Sequence, residues 1–275
     1  MLSNLLNRSP DHITIDDFRT DVRFGSLPLI DPKFRFMLFF SAKVGSTFIS
    51  KWFFEQIGKL NEALEYSHWI HNYRIKVYYK SPQYKQDLKR ALAKQTKMIK
   101  LVRCPYQRAV SSYFHCLRHE HFYDVLSDFI GKPFNKDYVF TFEEFVDYLN
   151  TLDISKCNPH FRSQTWKHEK NNRMKFHHII KIENSIDEFK RLESDFSLRN
   201  TDLLRHTDSK HHIEKKQGNG GYCGDNRKID LRNPMNQYSD FFNESTINLI
   251  SKIYYIDFET YGYSKVLVQK SAESY

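Results

Sequence analysis

The sequence predicts an α/β fold in which a central, mostly parallel sheet is flanked by helices. Three short apolar segments have the length and composition of buried strands, at 34–40, 98–102 and 176–182. A loop and then apolar residues at helical spacing follow each of them. Strands that alternate with helices in this way build a parallel sheet with helices on both faces.

The first strand–loop–helix unit opens with the apolar run Phe34–Phe40, which predicts a buried strand. Residues 41–47 predict a turn. The helix after it is indicated by apolar residues at helical spacing, namely Phe48, Ile49, Trp52, Phe53 and Ile57. In the second unit, 98–102 predict a strand, Arg103-Cys104-Pro105 ends it, and Pro105 suits the first turn of a helix.

Further elements are predicted from local signals. Thr141-Phe142-Glu143-Glu144 is a capping box that opens a helix to about Leu149. A strand at 176–182 leads to a helix that Asn184 or Ser185 can cap. A long polar loop is predicted at 206–233 and a closing helix from about Ser245 to Tyr255. We expect an irregular N-terminal arm at 1–33 and a single domain at 34–275.

Composition excludes several classes of protein. The 275 residues include 40% hydrophobic and 27% charged side chains, which is incompatible with a disordered chain. No apolar run approaches a membrane span, and the N-terminus lacks a signal peptide, so we predict a cytoplasmic protein. The four cysteines are widely spaced, which argues against a disulfide scaffold or a zinc ribbon. A net charge of +9 favours an anionic partner: a nucleic acid, an anionic membrane in peripheral contact, or a charged nucleotide.

Two turns have the features of anion-binding sites. The first, Ala42-Lys43-Val44-Gly45-Ser46-Thr47, lies between a strand and a helix, where backbone N–H groups and the helix dipole attract phosphate or sulfate. Gly45 permits close approach, and Lys43 adds a charge. An ordinary helix cap beside a surface lysine would look the same, and no Walker A pattern is present.

The second turn begins at Arg103, at the carboxyl end of its strand, where ligands bind in open α/β sheets. Ser111 lies two helical turns further on, on a face that can look back toward Arg103. A guanidinium and a hydroxyl together suit a phosphate group. The alternative is an N-terminal arginine and a surface serine.

These blocks resemble the carbohydrate sulfotransferase family. Lys43-Val44-Gly45-Ser46-Thr47 is similar to the family's loop for the 5'-phosphosulfate of 3'-phosphoadenylyl sulfate (PAPS). Arg103-x-Pro105-Tyr106-x-Arg108-x-Val110-Ser111 resembles its 3'-phosphate block, and 253–263 is similar to its closing signature. Weaker similarities cover 158–164 and 179–184. The chain lacks the membrane anchor and stem of animal members and looks like a compact bacterial-type member.

The resemblance implies a three-layer, P-loop-like sulfotransferase fold and transfer of a sulfuryl group from PAPS to a hydroxyl of a glycan, glycolipid or small molecule, with no metal. In such an in-line transfer, charge builds on the leaving oxygen, and Lys43 is the candidate to stabilise it. Lys43, Val44, Gly45, Ser46 and Thr47 would bind the phosphosulfate. Arg103 and Ser111 would bind the 3'-phosphate.

A general base must accept the acceptor's proton, and histidine suits this near neutrality because its ordinary pKa is about 6.5. We rank His71 first, His160 second and His68 third, with Glu55 and Glu62 as carboxylate alternatives. A structural, hydrogen-bonded role is equally common for any one histidine. Lys210, in the Gly-rich loop 209–221, could reach a phosphate if that loop folds over the nucleotide.

Three other functions remain open at this level. A metalloenzyme would use His115 and His119, one helical turn apart, but no H-E-x-x-H pattern or carboxylate cluster accompanies them. A nucleic-acid-binding protein would explain the basic charge, yet no RNP, KH, helix-turn-helix or zinc-finger pattern occurs. A nucleotide-dependent, kinase-like P-loop enzyme would need a Walker lysine and a Mg²⁺-binding Asp at a strand end, and neither stands out. Binding of 3',5'-ADP rather than ATP would separate these functions.

Overall fold

The computed structural model describes residues 27–135, 139–171, 174–206, 221–227 and 237–267. Its sheet has four strands in the order β1-β2-β3-β4, with the bounds Leu29–Ile30, Phe36–Phe40, Lys97–Val102 and His178–Lys181. β1 pairs antiparallel with β2, while β2, β3 and β4 are mutually parallel. The predicted α/β class with a mostly parallel sheet is confirmed.

The described α-helices are numbered in chain order: α1 Ser46–Gln56, α2 Leu60–Tyr66, α3 Ile70–Tyr73, α4 Pro82–Ala93, α5 Pro105–Leu117, α6 His121–Ile130, α7 Phe142–Thr151, α8 Lys167–Lys170, α9 Ser185–Asp195, α10 Glu244–Ile253 and α11 Tyr255–Tyr261. A π-helical turn, Arg74–Tyr78, continues α3 without a break. Short 3-10 turns lie at Ile182–Asn184, Leu203–His206 and Tyr238–Phe241.

Helices cover both faces of the sheet, which explains why β2 is apolar without alternation. Phe36, Leu38 and Phe40 pack into one cluster with residues of α1 and α9. Met37 and Phe39 point the other way, into a second cluster that includes residues of α4. All five residues of β2 are therefore buried, as expected for a central parallel strand.

The chain divides into two compact units. The first comprises the described residues of Met1–Val102 and Gln164–Ser209 and contains the whole sheet. The second comprises those of Arg103–Ser163 and Lys210–Tyr275 and is helical, with aromatic residues of α5, α6, α7 and α11 in its core. The expected single domain at 34–275 stays a prediction. Most of the expected arm at 1–33 lies outside the described residues, and within its described part Leu29–Ile30 forms β1.

The predicted helix ends match the structure except at α9. Thr141 and Glu144 form the capping box of α7, as expected, and α10 begins beside the predicted Ser245, where Asn243 is the N-cap. The expected side-chain cap of α9 is wrong. Asn184 is the N-cap residue, but its side chain makes no capping hydrogen bond, because the 3-10 turn 182–184 leads directly into the helix.

Candidate anion-binding site

The turn after β2 has the backbone geometry of an anion-binding loop. Lys43 has φ of 68° and Gly45 has φ of 77°, so two residues of the turn are left-handed. Left-handed backbone is uncommon at a lysine, and such strain clusters at ligand sites. Gly45 is the N-cap of α1 and contributes no side-chain cap, so the first N–H groups of α1 are not satisfied by a capping side chain. This turn and the helix dipole favour a bound anion.

Gly45 is needed for steric as well as conformational reasons. A Cβ atom placed there would lie 2.9 Å from Cδ1 of Ile182, which is closer than real Cβ contacts. Ile182 directly follows β4, so the end of one strand packs against the turn that follows another. A side chain at 45 would have to displace the Ile182 side chain and to adopt a left-handed backbone conformation.

His71 joins this turn through a side-chain hydrogen bond. Its Nε2 lies 3.1 Å from Oγ1 of Thr47, in the first turn of α1. The imidazole is only 8% exposed, and its Nδ1 is buried with no hydrogen-bond partner among the described residues. Three of the predicted site residues therefore lie close together, namely Lys43, Thr47 and His71. The charge of Lys43 is near enough to lower the pKa of His71.

His71 is predicted as a base because the ordinary pKa of a histidine is about 6.5, but its surroundings in the structure lower that pKa. Burial, and after it the positive charges of Arg74 and Lys43, together lower the pKa of His71 to about 3. His71 is therefore neutral at physiological pH in this state. A bound polyanion would offset the two cations and raise the pKa of His71 toward its ordinary value.

Arg74 is a buried cation beside this turn that sequence reasoning missed. Its side chain is 6% exposed, and Nη1 donates to Oγ of Ser50 at 3.1 Å. Ser50 in turn donates to the carbonyl of Ser46, the first residue of α1, at 2.7 Å. Arg74 begins the π-helical turn, and π-helical irregularities often occur at functional sites. That irregularity has no local sequence signal, and the only clue in the sequence is an arginine among the tyrosines of 73–79.

The other candidates near this turn lie in different surroundings. His68 is exposed. Glu55 contacts Nε2 of His206 at 2.5 Å, and Glu62 accepts hydrogen bonds from Tyr73 and Lys59. Trp69 is 59% exposed, and its ring centroid lies 5.3 Å from that of His71. An accessible indole therefore adjoins the buried imidazole.

The second predicted turn lies in the second unit. Arg103 directly follows β3, and its Nη2 donates to the hydroxyl of Tyr238 at 2.8 Å, while the guanidinium lies 5.1 Å from the centroid of the Tyr238 ring. Pro105 is the first residue of α5, as predicted. Ser111 is half-buried on α5. Arg108, by contrast, is 1% exposed and lies over the Tyr254 ring.

His160 is held by a hydrogen-bonded turn in the second unit. Oδ1 of Asn158 lies 2.9 Å from Nδ1 of His160 and also accepts the His160 backbone N–H. Because that oxygen is an acceptor, Nδ1 carries the proton in the neutral ring and the lone pair lies on Nε2. The ring also stacks on His115, with centroids 3.8 Å apart.

Lys210 and most of the predicted 206–233 loop lie outside the described residues. Within the residues that the structure describes, no group of three or more His, Cys, Asp or Glu side chains could hold a metal ion. No helix in the described ranges is long and apolar enough to cross a membrane.

A left-handed glycine turn and a helix N-terminus at the carboxyl edge of a parallel sheet form an arrangement that α/β proteins use to bind anionic ligands. A family model described as the Sulfotransferase family matches residues 29–264. The match spans most of the chain, so the protein belongs to this family and the sequence-based recognition is confirmed. No curated protein and no solved structure matches the chain significantly. Membership supports a transferase that moves a sulfuryl group.

Proposed function

We propose that the protein transfers the sulfuryl group of PAPS to a hydroxyl of a carbohydrate acceptor and releases 3',5'-ADP. The observation that carries this proposal is the turn 43–47, where left-handed Lys43 and Gly45 precede the uncapped first turn of α1. We assign the phosphosulfate to Lys43, Val44, Gly45, Ser46 and Thr47. Arg103 and Ser111 are assigned to the 3'-phosphate.

In this proposal Lys43 stabilises the charge that develops on the leaving phosphate oxygen during in-line transfer. The N–H groups at the start of α1 bind the same anion through their partial positive charge. Sulfuryl transfer needs no redox step, and these residues perform it by placing positive charge. The family generally uses PAPS as its donor, which supports this assignment.

The two histidines proposed as the base make different demands on the acceptor. His71 can accept a proton on Nε2 only if the acceptor hydroxyl takes the position of Thr47 Oγ1, because Nδ1 is buried. His160 already has the tautomer that places its lone pair on Nε2, oriented by Asn158. The variants His71→Gln and His160→Gln separate them, since only loss of the base removes the acid limb of the pH–rate profile.

A carbohydrate acceptor is supported by the exposed indole of Trp69 next to His71. Aromatic side chains present a large flat surface at small entropic cost, and sugar rings pack on such surfaces. Trp69→Ala should raise KM for the acceptor without changing KM for PAPS. Ile75→Ala, which truncates another exposed side chain of the same segment, is the matched control.

The decisive experiment is a radiolabelled PAPS transfer screen against a glycan panel, with calorimetric binding of 3',5'-ADP and ATP in parallel. We expect labelled sugar and tighter binding of 3',5'-ADP. Binding of ATP in preference to 3',5'-ADP would contradict the proposal. We also propose a reducing compartment such as the cytoplasm, because the four cysteines are widely spaced in the sequence and form no C-x-x-C pattern.

A further inference from the structure

Arg74 is a buried charge whose position has a cost. It forms no ion pair with a carboxylate among the described residues and is 6% exposed. A charge taken out of water without an opposite charge is strongly disfavoured. A buried charge of this kind destabilises the fold, so its presence needs a functional explanation.

The contacts of Arg74 satisfy it only in part. One nitrogen donates to Ser50, and the guanidinium lies 5.0 Å from the centroid of the Phe40 ring and 5.9 Å from that of Tyr79. Its Nε is buried with no hydrogen-bond partner in the described part of the chain. Aromatic faces and one hydroxyl stabilise a cation far less than a carboxylate does.

Arg74 is linked to the anion-binding turn by two successive hydrogen bonds. The guanidinium donates to Ser50, and Ser50 donates to the carbonyl of Ser46. Ser46 is the first residue of α1 and directly follows Gly45. The charge of Arg74 also acts on His71, as does that of Lys43. Arg74 and Lys43 thus contribute positive potential to the same small region.

We propose that Arg74 is a positioning residue for the anionic end of the donor: through Ser50 it holds the first turn of α1, and its buried charge adds to the positive potential that attracts a sulfonate or phosphate group. This rests on the proposed function for the identity of the donor. The missing counter-charge of Arg74 is then supplied by the ligand. The ligand-free protein bears the cost of the buried cation, and binding relieves it.

The test compares Arg74→Met with Arg90→Met. Both remove one positive charge, but Arg90 is exposed on α4. Affinity for 3',5'-ADP is measured by calorimetry, and Tm is measured with and without ligand. We expect Arg74→Met to bind about tenfold or more weakly, because a charge in the low-dielectric interior interacts strongly with a nearby anion. Its ligand-free Tm should be unchanged or higher, because the buried cation is gone. Arg90→Met should change neither quantity.

Two further variants separate charge from position. Arg74→Lys keeps the charge and should recover much of the affinity. Ser50→Ala breaks the link to the Ser46 carbonyl and should lower kcat more than affinity. If folded Arg74→Met binds 3',5'-ADP like wild type, the proposal is overturned. If Arg74→Met does not fold, Ser50→Ala decides, and wild-type kcat and affinity in Ser50→Ala overturn the proposal.

Failure of the proposed function has a different signature, since wild type itself would then neither bind 3',5'-ADP nor transfer sulfate. The role of Arg74 is tested in that case with inorganic pyrophosphate as the probe. A rise in wild-type Tm with pyrophosphate that Arg74→Met lacks supports the proposal. Equal rises in both proteins overturn it.

Discussion

Two buried cations of the first unit have opposite surroundings. Lys100, on β3, is fully buried and pairs with the carboxylate of Glu169; its Nζ also donates to the carbonyl of Gln164 at 2.7 Å. It lies 4.2 Å from the centroid of the Trp166 ring. Arg74 is nearly as buried, but its hydrogen-bond partner is a serine hydroxyl and its neighbours are aromatic rings.

The contrast distinguishes Lys100, a buried cation that stabilises the fold, from Arg74, a buried cation that we propose interacts with the ligand. The Lys100–Glu169 pair has its counter-charge within the protein and joins the 164–170 segment to the sheet. Arg74, a buried cation without a carboxylate partner among the described residues, contributes less to the stability of the fold and lies beside the turn that we propose binds an anion. Removing Lys100 should therefore lower the stability of the protein, whereas removing Arg74 should lower its affinity for the ligand.

The largest effect on stability is expected at Lys100. Lys100→Met leaves the Glu169 carboxylate buried without its cation, and breaking a buried pair in this way costs about 3–5 kcal/mol of unfolding free energy. Denaturant unfolding measures it. Adding Glu169→Gln removes the orphaned charge and should recover part of the loss. If Lys100→Met unfolds like Arg74→Met, the two cations do not differ in the way proposed.

The next effect concerns rate. Lys43→Ala removes the cation that we propose stabilises the charge on the leaving oxygen, so turnover should fall about a hundred-fold or more. Affinity for 3',5'-ADP should fall much less, because the interaction strengthens only in the transition state. Steady-state kinetics and calorimetry measure the two quantities. Lys85→Ala, at an exposed position of α4, is the control, and near-normal turnover of Lys43→Ala would contradict the assignment.

The second unit offers a similar comparison between two arginines, one proposed to bind the ligand and one buried in the fold. Arg103 extends from the end of β3 toward Tyr238, whereas Arg108 is buried over Tyr254. Arg103→Ala should weaken binding of 3',5'-ADP by roughly 1.5–3 kcal/mol, the value of a charged hydrogen bond, with little change for 5'-AMP. Arg108→Ala should mainly lower stability. Equal calorimetric losses for both nucleotides in Arg103→Ala would remove its 3'-phosphate role.

Sequence reasoning recovered the sheet because burial on both faces makes β2 a continuous apolar run. It missed β1, because two residues between Pro28 and Asp31 have no strand pattern of their own. β1 exists through its antiparallel pairing with β2, a contact that only the folded chain supplies. The capping box at Thr141 was predictable because it is a local interaction.

The candidate site likewise has one part that the sequence predicts and another that only the folded chain reveals. The turn 43–47 could be predicted because strand, glycine and helix are adjacent in sequence. Arg74 could not, because its significance comes from burial and from the contact with Ser50, 24 residues away. The lowered pKa of His71 is likewise a tertiary effect of burial and of two cations.

Near neutral pH the smallest of these effects is expected at His71, whose burial makes folding stability depend on pH. Its pKa is about 3 when folded and about 6.5 when unfolded. Below pH 6.5 the unfolded chain binds a proton that the folded protein does not, so folding stability falls as pH decreases from 6.5 toward 3. One such proton changes the unfolding free energy by about 1.4 kcal/mol per pH unit.

Burial causes most of this slope, and the positive charges of Arg74 and Lys43 add to it. His71→Gln should remove the slope, measured as the difference in unfolding free energy from wild type between pH 4 and 6.5. His68→Gln, which removes an exposed histidine three residues away, should keep it. Arg74→Met should raise the pKa of His71 in the folded protein, so the slope should end at a higher pH and the total loss of stability should be smaller. An unchanged pH dependence in both His71→Gln and Arg74→Met would mean that the two side chains do not share one electrostatic environment.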